Sequence, residues 1–488
     1  MPLHPHAMNS NMNPAVRSRT LFDKIWDNHI VADLGDGAFL MHIDRHFLNE
    51  VSGAVSLKEL DRRERRVRNP ELTFGTLDHV LETTPGRGMT TRMPGGDDFL
   101  AEFVKRIVPH KISFFDINDP RQGIVHVIAP ELGIALPGMT FISGDSHTCT
   151  VGAVGAFAFG VGSSDSEHAL VTQTLVQTKP KTMRVNLNGV AMKGVYAKDV
   201  ILALIGKYGA AGGTGYAVEF AGEAVRTFSM AGRLTLCNMA VEFGGRTGMV
   251  APDDVTFAYL EGREFSPKGQ AWRNALAFWR TLPSDPEAKF DLDIGLECAS
   301  LAPQVTWGTS PEHVIGVDEV VPDPARTVNV VARASQERAL AYGGIQPGKP
   351  LAGLEVSGAF IGSCTNSRID DLRAAAEVLR GQKVSSSVLS ICVPGSTAVK
   401  RQAEAEGLDR IFLDAGFQWR ESGCSLCMSG ATGGESFAAN SRVIASTNRN
   451  FEDRQGPHVR SHLASPATVA ASAIAGRIVD VRTFARTQ

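Results

Sequence analysis

At roughly 150 residues per domain, the 488 residues of this chain are enough for three compact domains and too many for a single core. Apolar residues make up 43% and charged residues 21%, a globular balance, and 49 Lys and Arg against 52 Asp and Glu leave a net charge of −3. With no global positive field, binding to nucleic acid or to an anionic membrane surface is disfavoured.

Residues 1–18 form a polar lead without the apolar centre of a signal peptide. The uncharged stretch Thr148 to Ser164 is broken by Gly, Ser and Thr and is shorter than the ~20 apolar residues of a membrane span, so the chain is expected to be cytoplasmic. Thr20-Leu21-Phe22-Asp23 reads as a capping box ahead of a helix with Leu21, Phe22, Ile25 and Trp26 on one face. Gly123–Ala129 and Met139–Ser143 then read as strands and Glu167–Gln177 as a helix, an alternation that predicts α/β layers. Composition shifts at Lys179-Pro180-Lys181, before a strand over Met183–Leu187, and again at Leu301-Ala302-Pro303, before a strand over Val356–Ile361. These shifts divide the chain into 19–182, 183–302 and 303–488, the last ending beyond a helix over Ala467–Ala475.

The seven cysteines, Cys149, Cys237, Cys298, Cys364, Cys392, Cys424 and Cys427, are odd in number and irregular in spacing, which is no disulfide framework. Cys424-Ser-Leu-Cys427 lies in the Gly-rich run Gly423–Gly430. Cys364 lies in Gly362-Ser-Cys-Thr-Asn-Ser367, between a strand and a helix with Ile369, Leu372, Ala376 and Leu379 on its apolar face. The positive end of that helix is expected to favour a thiolate. Alone, C-x-x-C fits a redox dithiol, a structural zinc or plain buried cysteines. Structural zinc wants four ligands and a redox motif should open a helix, whereas three cysteines in Gly-rich loops suit an iron–sulfur cluster with one iron lacking a thiolate.

A second constellation gathers acids and imidazoles: Asp78-His79, His126, and Asp145-Ser146-His147 in Ser143-Gly-Asp-Ser-His-Thr148. A carboxylate fixes the tautomer of its histidine and raises its basicity, as proton transfer requires. The plainer alternative is that Asp145 and Ser146 cap a helix and the histidines are satisfied core residues. Gly152–Gly162 matches no phosphate loop, and its small residues read as close packing. In Asn448-Arg449-Asn450-Phe451-Glu452-Asp453-Arg454, two arginines could clamp carboxylates, or the segment could be a solvated charged loop.

Together, blocks such as RQGIVHVIAPELG, PGMTFISGDSHTCT, RLTLCNMAVEFGGR, FIGSCTNSRIDDLR, SGCSLCMSG and STNRNFEDRQG resemble the aconitase superfamily, most closely its isopropylmalate isomerase large subunits. They run in family order from residue 21 to about 475. The resemblance implies three α/β domains around a [4Fe–4S] cluster held by Cys364, Cys424 and Cys427, its fourth iron open to substrate. It implies Asn238, Glu242 and Asn448 near the cluster, and acid–imidazole pairs Asp78–His79, His126–Asp145 and His147–Glu242 for proton transfer. Ser146, Arg449 and Arg454 would hold substrate carboxylates. The implied reaction is a hydro-lyase isomerisation of 2-isopropylmalate to 3-isopropylmalate in leucine biosynthesis. Citramalate, dimethylmalate or homoaconitate are alternative substrates.

The chain departs from the family at Asn49, where His-Glu is usual against Asn49-Glu50 here, and at the following Gly53–Leu57. It departs again at Val151, where His is common, and at Asp453, where Gly is usual. Single-chain relatives carry a fourth, swivelling domain with the serine base. Its absence before Gln488 implies a separate small subunit in a heterodimer or larger assembly. A cluster-sensing RNA-binding regulator would want a basic surface and that fourth domain, and a ferredoxin would want four cysteines.

Overall fold

The computed structural model describes residues 18–428 and 433–484. The polar lead up to residue 17 and the end of the Gly-rich run after Met428 lie outside them. Thr20 caps the first helix, Leu21–His29: its Oγ1 accepts from the Asp23 N–H at 3.0 Å, and Asp23 accepts from the Thr20 N–H at 3.3 Å. Leu21, Phe22, Ile25 and Trp26 are buried as the spacing predicts, with the Phe22 ring edge-on to Phe157 at 5.1 Å.

Three all-parallel sheets dominate. The first has the spatial order Ser113–Phe115, Thr73–Thr76, Arg45–Leu48, Thr140–Ser143, Phe157–Gly160. The second runs Thr247–Val250, Tyr216–Ala221, Lys181–Asn188, Leu292–Glu297. The third runs Gln418–Trp419, Leu389–Cys392, Gly358–Ile361, Arg442–Ala445, Arg460–Leu463. Parallel strands need crossovers and have both faces covered, so these read as short, buried apolar runs. A three-stranded antiparallel sheet, Ile30–Gly35, Ala38–His42 and Thr174–Thr178, flanks the first. One continuous apolar core joins Phe47 and Phe157 of the first sheet to Met183, Val185 and Val218 of the second, and a separate core serves the third.

The expected strands over Met139–Ser143, Met183–Leu187 and Val356–Ile361 form as Thr140–Ser143, Lys181–Asn188 and Gly358–Ile361, and the late helix is Pro466–Ala475. Gly123–Ala129 is not a strand. Gly123 makes a single bridge to Ser396, and the chain then turns into the helix Val125–Glu131, whose first N–H is taken by Asp78 Oδ2 at 3.0 Å. A short apolar run fully buried on all sides carries no period that separates helix from strand. The helix expected over Glu167–Gln177 instead spans Ser163–Thr172, stops at Gln173 in the left-handed region (φ 59°), and gives way to the β-branched strand Thr174–Thr178. Close packing accounts for Gly152: a Cβ there would lie 1.9 Å from the Gly248 carbonyl oxygen. No described helix is long and apolar enough to cross a membrane.

In a parallel sheet all carboxyl ends share one edge, where ligands bind in open α/β folds. Here Glu50, Asp78 and Asp145 directly follow three strands of the first sheet, while Cys364, Asn448 and the Cys424 loop follow three strands of the third. The two edges face each other: Cys424 N–H donates to Asp78 O at 2.8 Å and Ile124 N–H to Gly395 O at 2.9 Å.

Candidate active site

On the first sheet's edge, His79 lies between two carboxylates, with Nδ1 2.5 Å from Asp78 Oδ1 and Nε2 2.7 Å from Asp145 Oδ2. Donating to both requires the doubly protonated ring. Burial opposes that charge, but the two acids hold the imidazole well above its ordinary pKa. Underneath, the fully buried Glu50 accepts the backbone N–H groups of Asp78, His79 and Val80 at 3.1, 2.7 and 2.7 Å. Glu50 is a site-building residue that sequence reasoning met only as half of a departing pair. Asn49 beside it caps the helix Glu50–Arg62, accepting from Ser52 N–H at 3.0 Å.

Asp145 is a hub rather than the partner of one histidine. Besides His79 it accepts from the His147 N–H at 2.7 Å and lies 3.3 Å from His147 Nδ1, capping the 3-10 turn Ser146–Val154. Burial alone would raise its pKa; the facing imidazoles of His126, His147 and His79 instead hold it well below the usual carboxylate range. The expected His126–Asp145 pair is looser than the other two. His126 Nε2 is 3.4 Å from Asp145 Oδ1, and neither ring nitrogen of this fully buried histidine makes a hydrogen bond. Its imidazole therefore faces the site with donor capacity unspent.

His147 joins the first sheet to the second, with Nε2 2.9 Å from Glu242 Oε1. Burial works against its charge, yet Glu242 and Asp145 push its pKa up to about 9. Arg449 completes this cluster, donating through Nε to Glu242 Oε1 at 2.7 Å and through a terminal nitrogen to Ser146 Oγ at 3.1 Å. Its side chain keeps about a third of its surface accessible (32%), room for an incoming carboxylate.

The three cysteines singled out by sequence converge on the opposite edge. Cys364 and Cys424 share an apolar pocket with Ile124 and Val127. Ser363 Oγ donates to Cys427 Sγ at 3.1 Å, and Asn238 Nδ2 to Cys364 Sγ at 3.1 Å. Asn448 touches two of them, 3.5 Å from Cys427 Sγ and 3.6 Å from Cys364 Sγ, and Arg454 reaches Cys427 Sγ at 3.7 Å. The ligand atoms of Asp78, His79 and Cys424 lie within 4.8 Å of one another, so thiols and proton carriers adjoin. Ser363 and Ser425, each beside a cysteine, are held at positive φ, 75° and 48°, local strain of the kind that accumulates at functional sites.

The expected help of a helix N-terminus to Cys364 does not materialise. Burial pushes its thiol up. The helix begins five residues later at Ile369, with Asp371 accepting the Arg368 N–H in its first turn at 3.0 Å, and the dipole fades beyond that turn. Cys427 differs: against burial, Arg454, Ser363 and His147 lower it. The other four cysteines are buried elsewhere, and none of the seven forms a disulfide.

Polar side chains stitch the two edges together. Thr83 Oγ1 donates to Ser425 Oγ at 2.9 Å, while the buried Gln122 donates to Leu77 O at 2.7 Å and accepts from Arg87 at 2.9 Å and from Ser422 Oγ at 2.5 Å. The departures also have local explanations. Val151 is fully buried in the apolar core, and Asp453 sits at φ 63°, where Gly is favoured and Asp tolerated.

The aconitase family (aconitate hydratase) profile matches residues 23–476, and the chain belongs to that family. Membership implies a [4Fe–4S] cluster. Among relatives, the 3-isopropylmalate dehydratase large subunit 1 of Bradyrhizobium diazoefficiens is 53% identical over 470 residues, which cover 96% of this chain and 98% of that protein.

Proposed function

We propose that this chain is the large subunit of an isopropylmalate isomerase, converting 2-isopropylmalate to 3-isopropylmalate by dehydration and rehydration in leucine biosynthesis. The observation that carries this is the 53% identity, over nearly the full length of both chains, to a 3-isopropylmalate dehydratase large subunit. A small subunit completes the enzyme, and the chain divides into three domains, 19–182, 183–302 and 303–488, around the site.

The donor set fits an iron–sulfur group. Three buried thiols converge beneath amide and hydroxyl donors from Asn238, Asn448 and Ser363, and the Arg454 guanidinium lies near an expected anionic centre. Such hydrogen bonds and charges tune these clusters. Cys364, Cys424 and Cys427 would hold it. When bound, it supplies an iron without a thiolate, a Lewis acid for the substrate hydroxyl.

The chain's own groups handle protons and carboxylates. His79, protonated between Asp78 and Asp145, donates to the departing hydroxyl as the C–O bond breaks, so that it leaves as water. Glu50 fixes the backbone that presents the ring. The adjacent carbon gives its proton to a base on the small subunit, and that C–H electron pair becomes the double bond. Rehydration in the opposite sense returns the hydroxyl to the neighbouring carbon. Arg449 and Ser146 bind one substrate carboxylate and Arg454 a second, while His147 and Glu242 keep Arg449 in place. His126 contributes a further ring nitrogen toward Asp145.

The test is turnover of an alkylmalate panel by the cluster-reconstituted chain, with and without the small subunit. 2-Isopropylmalate should isomerise fastest, and only with both subunits. Preference for citramalate, dimethylmalate or homoaconitate would reassign the substrate, and full turnover by the large subunit alone would remove the partner from the mechanism.

A further inference from the structure

The segment 446–454 carries Asn448, Arg449 and Arg454 from the end of the strand Arg442–Ala445 to the mouth of the site. Its far half is anchored by Thr306, Gly308 and Tyr342. Asn450 Nδ2 donates to Thr306 Oγ1 at 3.1 Å and to Gly308 O at 2.6 Å, and the Asp453 N–H donates to Tyr342 OH at 3.0 Å. Its near half is held from the helix Ala197–Tyr208. The ammonium of Lys198 donates to Ser446 O at 3.0 Å and also to Thr447 O, the two carbonyls immediately before Asn448 and Arg449.

Local structure gives Lys198 no reason to be where it is. It occupies the first turn of the helix Ala197–Tyr208, where a cation opposes the helix dipole. Its side chain is completely buried, and burial lowers its pKa to about 8. Both effects are unfavourable, so the compensation comes from the two carbonyls it binds and from the nearby carboxylates, Glu242 foremost. The next residue, Asp199, secures the same helix end, accepting the N–H groups of Tyr196 and Gln304 at 2.8 Å each. Lys198 thereby links the helix that follows the strand Lys181–Asn188 to the segment that supplies Arg449.

We propose that Lys198 is a positioning residue for carboxylate recognition: its ammonium fixes the Ser446 and Thr447 carbonyls and so sets the Arg449 guanidinium against Glu242 and Ser146. The inference rests on the isopropylmalate isomerase reading only for the identity of the ligand.

The test compares Lys198→Met, which keeps length and removes the donor, with Lys198→Arg, which keeps a cation, in the reconstituted two-subunit enzyme. Misplacing a binding group by about an ångström can cost up to about a hundredfold. For K198M we therefore expect the KM and the calorimetric Kd for 2-isopropylmalate to rise about tenfold or more, with kcat changed less. K198R should fall between K198M and the wild type. Hydrogen exchange at 446–450 should be slow in the wild-type chain and faster in K198M, a readout that needs no ligand. Wild-type KM, Kd and exchange in K198M overturn the proposal, as does a loss confined to thermal stability and yield. If K198M does not accumulate folded, Lys198→Gln is measured in the same way and read by the same criteria. A wild-type complex that turns over no alkylmalate defeats the functional reading alone, since the exchange comparison still decides the role of Lys198.

Discussion

The two facing edges of this site are built on opposite terms. On the first sheet's edge the groups satisfy one another: Asp78, His79, Asp145 and His147 form a run of contacts between 2.5 and 3.3 Å, and Glu50 secures the backbone beneath. On the third sheet's edge three thiols are gathered with weak donors around them, and burial pushes Cys364 and Cys424 up. A carboxylate–imidazole array is complete in itself. A pocket of buried thiols gains its stabilisation from a soft metal group that takes them as thiolates.

The sharpest way to break this contrast is to remove one thiol. Serine at Cys364, Cys424 or Cys427 should abolish the visible absorbance of the reconstituted cluster and reduce turnover to background, whereas Cys149→Ser or Cys392→Ser should leave both intact. A cluster that persists in C424S but is lost in C149S would overturn the ligand assignment. The proton-handling edge should respond differently. His79→Asn should lower kcat by about 10²–10⁴-fold, the range for a lost general acid, while the cluster spectrum stays that of the unsubstituted chain. Loss of the spectrum in H79N would mean that the two edges are not separable.

A smaller effect should appear in stability. His147 is raised from 6.5 to about 9 in the folded chain. A raised folded pKa stabilises fully below the unfolded value and loses that contribution as pH rises through the folded one. Thermal stability of the large subunit should therefore decline between pH 6.5 and about 9, by on the order of 3 kcal/mol at 1.36 kcal/mol per unit. Glu242→Gln removes the principal partner of His147 and should reduce that slope, leaving the part that comes from the raised His79. An E242Q slope equal to that of the unsubstituted chain would assign the pH dependence to other groups.

Sequence reached the chemistry of this site more readily than its wiring. The cysteine motifs, the Asp-Ser-His run and the Asn-Arg-Asn segment each sit in a short loop after a strand, so their local patterns survive into the fold. Glu50, Gln122 and Lys198 carry no such pattern. None belongs to a spacing that marks chemistry, and the role of each exists only because a strand, turn or carbonyl more than 25 residues away in sequence comes to meet it. The family resemblance pairs His126 with Asp145, but nothing in the sequence shows that three imidazoles converge on that one carboxylate. The short helix Val125–Glu131 looks like a strand in sequence because burial of Val125 to Pro130 erases its period.

The smallest expected effect lies at the rim, where the segment that presents Arg449 and Arg454 turns back toward the third sheet. Asp453 holds φ 63° there, and its carboxylate accepts the His458 N–H at 2.6 Å. The left-handed region costs an ordinary L-residue roughly 1–2 kcal/mol, from which Gly is exempt and Asp partly so. Asp453→Gly removes that strain and the hydrogen bond together, so its stability should stay within about 1 kcal/mol of the unsubstituted chain. Asp453→Ala loses the hydrogen bond and keeps the strain, so it should be less stable than D453G by about 1 kcal/mol, measured by denaturant unfolding. Because Arg454 adjoins this turn, the KM for 2-isopropylmalate should follow the same order, with D453A the weaker binder. Equal stability and equal KM in the two variants would show that backbone conformation at this position has no hold on the arginines, and that the exchange of Gly for Asp at the rim is neutral to the site.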